Sequence, residues 1–163
     1  MPVVHSHGKK ERRKRMRKID LIVIHCTSTR EDSDLTPQAL TKMHRLRGFN
    51  GCGYHYYIRR DGEICTMRPV ERVGAHAKGF NAHSIGIAYE GGLDAKGRPA
   101  DTRTQEQKHS LRVLVRVLQS DFRIPPERVV GHRDLSPDLD GDGVVEPEEW
   151  TKQCPCYDVS VDK

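Results

Sequence analysis

Long apolar stretches are missing from this chain: the longest run, Leu21 to Ile24, covers four residues, where a helix crossing a bilayer needs about 20. That excludes a helical membrane span. A secretory signal is missing as well. The basic start is followed by Ile19-Asp20-Leu21-Ile22-Val23-Ile24 and then His25, instead of roughly 7–15 apolar residues and a small-residue cleavage site. Aromatic residues are few, 6% of the chain, and none falls in the basic first 18 residues. That segment lacks the stacking surfaces by which proteins hold unpaired bases. The five cysteines are an odd number. Without an export signal they argue against a full disulfide framework and favour thiol or metal chemistry.

What is present fits one globular unit. A chain of 163 residues with 35% hydrophobic and 31% charged residues can bury a single core. The net charge of +5 is unevenly spread. Residues 1–18 hold eight Lys/Arg and one Glu, or +7, which leaves −2 for the remaining 145. Residues 1–18 therefore read as a flexible, solvated basic arm ahead of a near-neutral domain at 19–163. Weak attachment to anionic wall or membrane polymers is the functional alternative for the arm. Nucleic acid is not an expected partner.

Residues 19–25, apolar and β-branched without Gly or Pro, suit a buried strand that delivers His25 to its C-terminal end. Thr36-Pro37 offers an N-cap followed by proline, and the spacing predicts a helix over 36–47 that stops at Gly48. Residues 54–60 and 63–68 flank Asp61-Gly62 and predict an antiparallel hairpin. A strand is expected over Ser84 to Glu90. Thr104 with Gln107 forms a capping-box pattern ahead of a helix whose core stripe is Leu111, Leu114, Val115, Leu118 and Phe122. A short last strand, Arg128 to Gly131, ends at His132. Helices interleaved with strands give the expected class: α/β, a single domain with a mixed central β-sheet flanked by helices.

His25 and His132 thus each close a predicted strand, and Cys154 follows a loop, so the three could meet at one edge of the sheet. Three protein ligands with one open position describe a catalytic zinc site. The spacing matches no zinc signature by itself. A cysteine peptidase using Cys26 or Cys52 with a histidine base stays open on spacing alone. Cys26, next to a candidate ligand on a strand, should point to the opposite face as a core thiol.

Several segments carry a resemblance: Ile22-Val23-Ile24-His25-Cys26-Thr27-Ser28, Gly53-Tyr54-His55-Tyr56-Tyr57-Ile58, Asp61-Gly62, Gly74-Ala75-His76-Ala77-Lys78-Gly79, Asn81 with Ser84-Ile85-Gly86-Ile87, Gly131-His132-Arg133-Asp134 and Lys152-Gln153-Cys154-Pro155. In this order, from about residue 19 to 158, the chain resembles the type 2 N-acetylmuramoyl-L-alanine amidases. That family includes the small phage lysozyme-type amidases and shares its fold with animal peptidoglycan recognition proteins. The resemblance implies zinc held by His25, His132 and Cys154, and hydrolysis of the amide between N-acetylmuramic acid and L-alanine in peptidoglycan. It gives Tyr54 the role of the tyrosine beside the metal's open position, orienting water or moving its proton. Lys152 matches the lysine that stabilises the oxyanion. His76 lies in a matched segment away from the ligand positions and is expected in the substrate groove. His44, His55, His83 and His109 are expected to be structural or surface residues. A peptidoglycan-binding module without catalysis is the alternative, and a lost ligand would have favoured it. A monomer acting on the cell wall is expected, with release by a phage-type route in the absence of an export signal.

Two features depart from the family pattern. Cys156 lies two residues after Cys154, so both thiols could reach the metal region, and the Lys-x-Cys-Pro match selects Cys154. The stretch between His132 and Cys154 is also longer than usual and is itself patterned. Asp138, Asp140, Asp142, Gly143, Glu146 and Glu149 occupy positions 1, 3, 5, 6, 9 and 12 of an EF-hand-like loop, and Val144 supplies the position whose backbone carbonyl binds. Residues 138–149 are therefore a candidate calcium loop that would fix the segment carrying Lys152 and Cys154. No ordinary pair of flanking helices is evident, and Pro147 interrupts its second half.

Overall fold

In a computed structural model describing residues 15–162, the chain runs through β1 (Leu21–Cys26), β2 (Thr29–Arg30), α1 (Pro37–Leu46), β3 (Tyr56–Ile58), β4 (Ile64–Thr66), β5 (Ser84–Tyr89), β6 (Gly92–Leu93), α2 (Gln105–Phe122) and β7 (Val129–Gly131). Five strands form a mixed sheet in the order β4-β3-β5-β1-β7, antiparallel only between β3 and β4. The remaining two strands, β2 and β6, pair in parallel beside it.

β1 is central, with β5 and β7 on its two sides, so all six of its residues are buried. Side chains alternate across a strand. Ile22, Ile24 and Cys26 enter the main core beneath α2, with Leu111, Leu114 and Leu118. Leu21 and Val23 face the other side, where they meet Ala77 and are flanked by Phe80 and Leu135. β5 repeats the division: Ile85, Ile87 and Tyr89 join the core under α2, which leaves the small residues Ser84, Gly86 and Ala88 on the opposite face. Each fully buried aliphatic side chain contributes about 1.5–3 kcal/mol. The short side chains of β5 leave space beside His25, its neighbour across the register at Ala88.

The expected helices form where the caps place them. The Thr36 side chain accepts from the Ala39 N–H at 3.1 Å, and Leu40 and His44 are buried by α1. In α2, Thr104 and Gln107 exchange bonds of 3.0 Å in a capping box. Val115 and Phe122, expected in the stripe of α2, are only partly buried. The hairpin turns at Gly62 with φ +87°, a conformation that glycine adopts without strain. Its strands are shorter than predicted. Leu40 of α1 packs with Tyr57 of β3, whose hydroxyl donates to the Leu35 carbonyl at 2.6 Å. Helices thus cover both faces of the sheet.

Of the expected basic arm, residues 15–18 are described. Residues 1–14 lie outside the described residues. Arg17, counted with the arm, donates from its guanidinium to the carbonyls of Val70, Asn81, Ala82 and Ser84 at 2.7, 3.3, 3.2 and 2.8 Å. A cation with four carbonyl partners is part of the folded domain. Among the described residues no helix is long and apolar enough to cross a membrane.

Candidate metal centre

His25 occupies the fifth position of β1, and alternation turns it to the face away from α2. There it is 1% exposed. His132 follows β7 directly and begins the 3-10 turn His132–Leu135. Cys154 arrives from the loop beyond, where its carbonyl accepts from the Arg133 N–H at 2.8 Å. Parallel pairing of β1 with β7, Ile24 opposite Gly131, brings the two histidines side by side, with ring centroids 4.4 Å apart. One donor atom from each of His25, His132 and Cys154 lies within 4.8 Å of the other two, and the Cys154 Sγ is 3.8 Å from the His25 Nδ1. The Cys26 N–H donates to the Cys154 Sγ at 3.3 Å.

The electrostatics suit a metal. Burial, then the neighbouring His76 and His132, holds His25 well below the ordinary histidine range. Burial and Lys152 bring His132 down to about 4. Both imidazoles are therefore neutral near pH 7, the form that ligates metals. The side chain of the neighbouring Cys26, together with burial, raises the Cys154 thiol, against the opposing Cys26 N–H. Two neutral imidazoles and a thiol at the floor of an open groove are a donor set that fits zinc at a site with a vacant fourth position.

That groove has a volume of about 350 Å³ and is lined by His25, Tyr54, His76, His132, Lys152 and Cys154 among others. The Tyr54 ring lies 5.1 Å from those of both His25 and His44, and burial raises its hydroxyl far above the ordinary tyrosine range. Lys152 is exposed at the rim. His44, Arg47 and Phe49 also line the groove, and sequence reasoning missed them. Arg47 stacks on Phe49 at 5.0 Å, and the His44 Nδ1 accepts from the Gly53 N–H at 2.8 Å. The place of His44 one helical turn after Leu40 was the available signal.

The His76 ring lines the groove, where it is 9% exposed and has both of its nitrogens engaged within the protein. Nδ1 lies 2.9 Å from the His25 Nε2, and Nε2 lies 3.1 Å from the Ser84 Oγ. Cys26 enters the core as expected, 3.9 Å from the Cys156 Sγ. His83, near the surface, pairs with Asp20 at 2.6 Å.

Two overlapping carboxylate groups gather in the loop at 138–149: Asp138, Asp140 and Glu149, and Asp140, Asp142 and Glu146. Their oxygens are turned inward to the loop's own backbone. Asp138 accepts from the N–H groups of Gly141 and Gly143, and Glu149 from those of Leu139 and Glu146. The turn before the loop, His132–Leu135, and the turn at its end, Pro147–Glu149, are 3-10, not α-helical.

Against known proteins, the family model of N-acetylmuramoyl-L-alanine amidase matches residues 15–156. The chain belongs to the N-acetylmuramoyl-L-alanine amidase family. The amidase is 32% identical over 138 residues to the endolysin of Klebsiella phage KP32, covering 85% of this chain and 81% of that protein. It is also 48% identical over 99 residues to an uncharacterised protein of Haemophilus influenzae, covering 61% and 84%. Among solved structures, the amidase LysC from Clostridium intestinale aligns with a TM-score of 0.66 at 32% identity, over 87% of this chain and 79% of that one. Drosophila PGRP-LB aligns with a TM-score of 0.64 at 21% identity, over 86% and 76%, a likeness of fold. The amidase is thus an enzyme with the expected mixed-sheet fold.

Proposed function

We propose that this amidase hydrolyses the amide between the lactyl group of N-acetylmuramic acid and L-alanine in peptidoglycan, with zinc held by His25, His132 and Cys154. The observation that carries the reading is the convergence of those three donors at the floor of the groove that Tyr54 and Lys152 line. Zinc there would supply Lewis acidity towards the scissile amide and towards water. The chain's own groups do the rest. Tyr54, kept protonated by burial, has a hydroxyl proton with which to orient the attacking water. Lys152 brings a positive charge to the groove, where negative charge develops on the carbonyl oxygen. His25 and His132 stay neutral, so their lone pairs are free for the metal.

The substrate and the site of action are part of the same proposal: the cell wall, reached as an endolysin reaches it, by a monomer. For the loop at 138–149, calcium as a structural ion is proposed on the EF-hand-like sequence pattern. Calorimetric titration with Ca²⁺ tests this, and the absence of heat removes it. The main test measures new L-alanine amino termini released from purified peptidoglycan by zinc-loaded protein, zinc-stripped protein and Cys154→Ala. Release by the zinc-loaded wild type alone is the expected result. Binding to peptidoglycan without release by any sample would put the binding-module reading in its place.

A further inference from the structure

His25 can offer only one nitrogen to a metal, and the structure shows which. Nδ1 faces the Cys154 Sγ at 3.8 Å, while Nε2 turns away and meets the His76 Nδ1 at 2.9 Å. A neutral imidazole has one N–H and one lone pair. If the Nδ1 lone pair is given to a metal, Nε2 carries the proton, and the His76 Nδ1 must accept it. The proton of His76 then sits on its own Nε2 and is donated to the Ser84 Oγ at 3.1 Å. One tautomer is fixed at each step of the series from Ser84 through His76 to His25.

We propose that His76 is the positioning residue of the metal centre: through Ser84 it selects the tautomer and ring angle with which His25 meets the metal. The inference rests on the metal-centre reading above. Histidine ligands that donate their other ring N–H to a fixed acceptor hold metal more tightly than free ones, and the acceptor's removal costs about 10–100-fold in affinity.

The surroundings hold the His76 ring tightly enough to do this. The N–H groups of His76 and Ala77 both donate to the Asn81 Oδ1 at 2.9 Å, which fixes the backbone. A Cβ on Gly86 would stand 2.5 Å from the His76 Cγ, and one on Gly74 would stand 2.8 Å from its Cδ2. Both glycines therefore leave space that the ring fills, and the His25 ring meets it at 88°, edge to face. The ring therefore has little room to swing.

The test compares the full-length wild type with His76→Leu, His76→Asn and Ser84→Ala, by zinc competition against a chromophoric chelator and by the visible absorption of the cobalt(II) form. Asn places an amide oxygen about where Nδ1 sits, whereas Leu fills the site without an acceptor. His76→Leu should bind zinc about 10–100-fold more weakly and show an altered cobalt spectrum. His76→Asn should recover most of the affinity. Ser84→Ala should fall between them, and it carries the test if His76→Leu does not fold. Equal affinity in Ser84→Ala and wild type, or a His76→Asn as weak as His76→Leu, would overturn the proposal, since packing alone predicts no rescue by the smaller polar residue. A wild type that takes up no zinc would instead overturn the metal-centre reading, and this inference with it.

Discussion

Acid should unfold the metal-free protein in a window set by buried histidines, and His55 is the cleanest reporter because it is not itself a candidate ligand. Its ring is fully buried: Nδ1 accepts from the Gly86 N–H at 3.0 Å, and Nε2 faces the Arg72 carbonyl at 2.8 Å. Burial brings it from 6.5 down to about 4, against the opposing pull of the Arg72 carbonyl. Because the folded value lies below the unfolded one, the unfolded chain binds more protons between them. The stability contributed by the neutral ring is complete above pH 6.5 and is lost as the pH falls towards 4. Between pH 7 and pH 4.5 the loss is about 2 kcal/mol, or a drop of about 1 M in the urea midpoint. His55→Gln keeps an N–H for the Arg72 carbonyl and titrates nothing, so it should lose less over the same interval. Asp101, where burial is outweighed by the hydrogen bonds and positive charge of Arg103 acting together with Lys108, adds its own loss only in more acid solution. Urea unfolding of the two metal-free proteins at pH 7 and pH 4.5 measures the difference. Equal losses in both would refute the claim that the fold holds His55 neutral.

Lys152→Ala should lower kcat by about 10²–10³-fold while zinc content, read by atomic absorption, stays at wild-type level. Because the Cys154 thiol is raised by the neighbouring Cys26 side chain and by burial, zinc uptake near neutral pH should release about one proton. Calorimetry in two buffers of different ionisation enthalpy counts it, and an identical heat in both would contradict a thiolate ligand. Arg17→Ala, which strips four carbonyls of their donor, should cost roughly 2–4 kcal/mol in urea unfolding once solvent access to the guanidinium is allowed for. Its activity per folded molecule should be unchanged.

Local signals carried much of the fold. The apolar run at 21–24, the Thr36 and Thr104 caps and the Asp61-Gly62 turn each act over a few residues, and each formed close to its expected place. β2 and β6 were not legible, because two residues of strand have no periodicity to read and owe their pairing to the chain around Gly91-Gly92. The hairpin strands came out shorter than their β-rich composition suggested, since composition does not say where a ladder loses its partner.

By itself the sequence determined which residues could serve as donors and which lie at strand ends: His25 after an apolar run, His132 after a short one, Cys154 beyond a loop. Tertiary structure alone decided how they work together. The parallel register of β1 with β5 sets the small side chains of Ser84, Gly86 and Ala88 beside His25, and the irregular chain at 74–83 lays His76 into that space. Arg17 likewise joined the domain through carbonyls more than 50 residues away. Contacts of this kind depend on strand order and register, which bring together positions whose separation along the chain has no period.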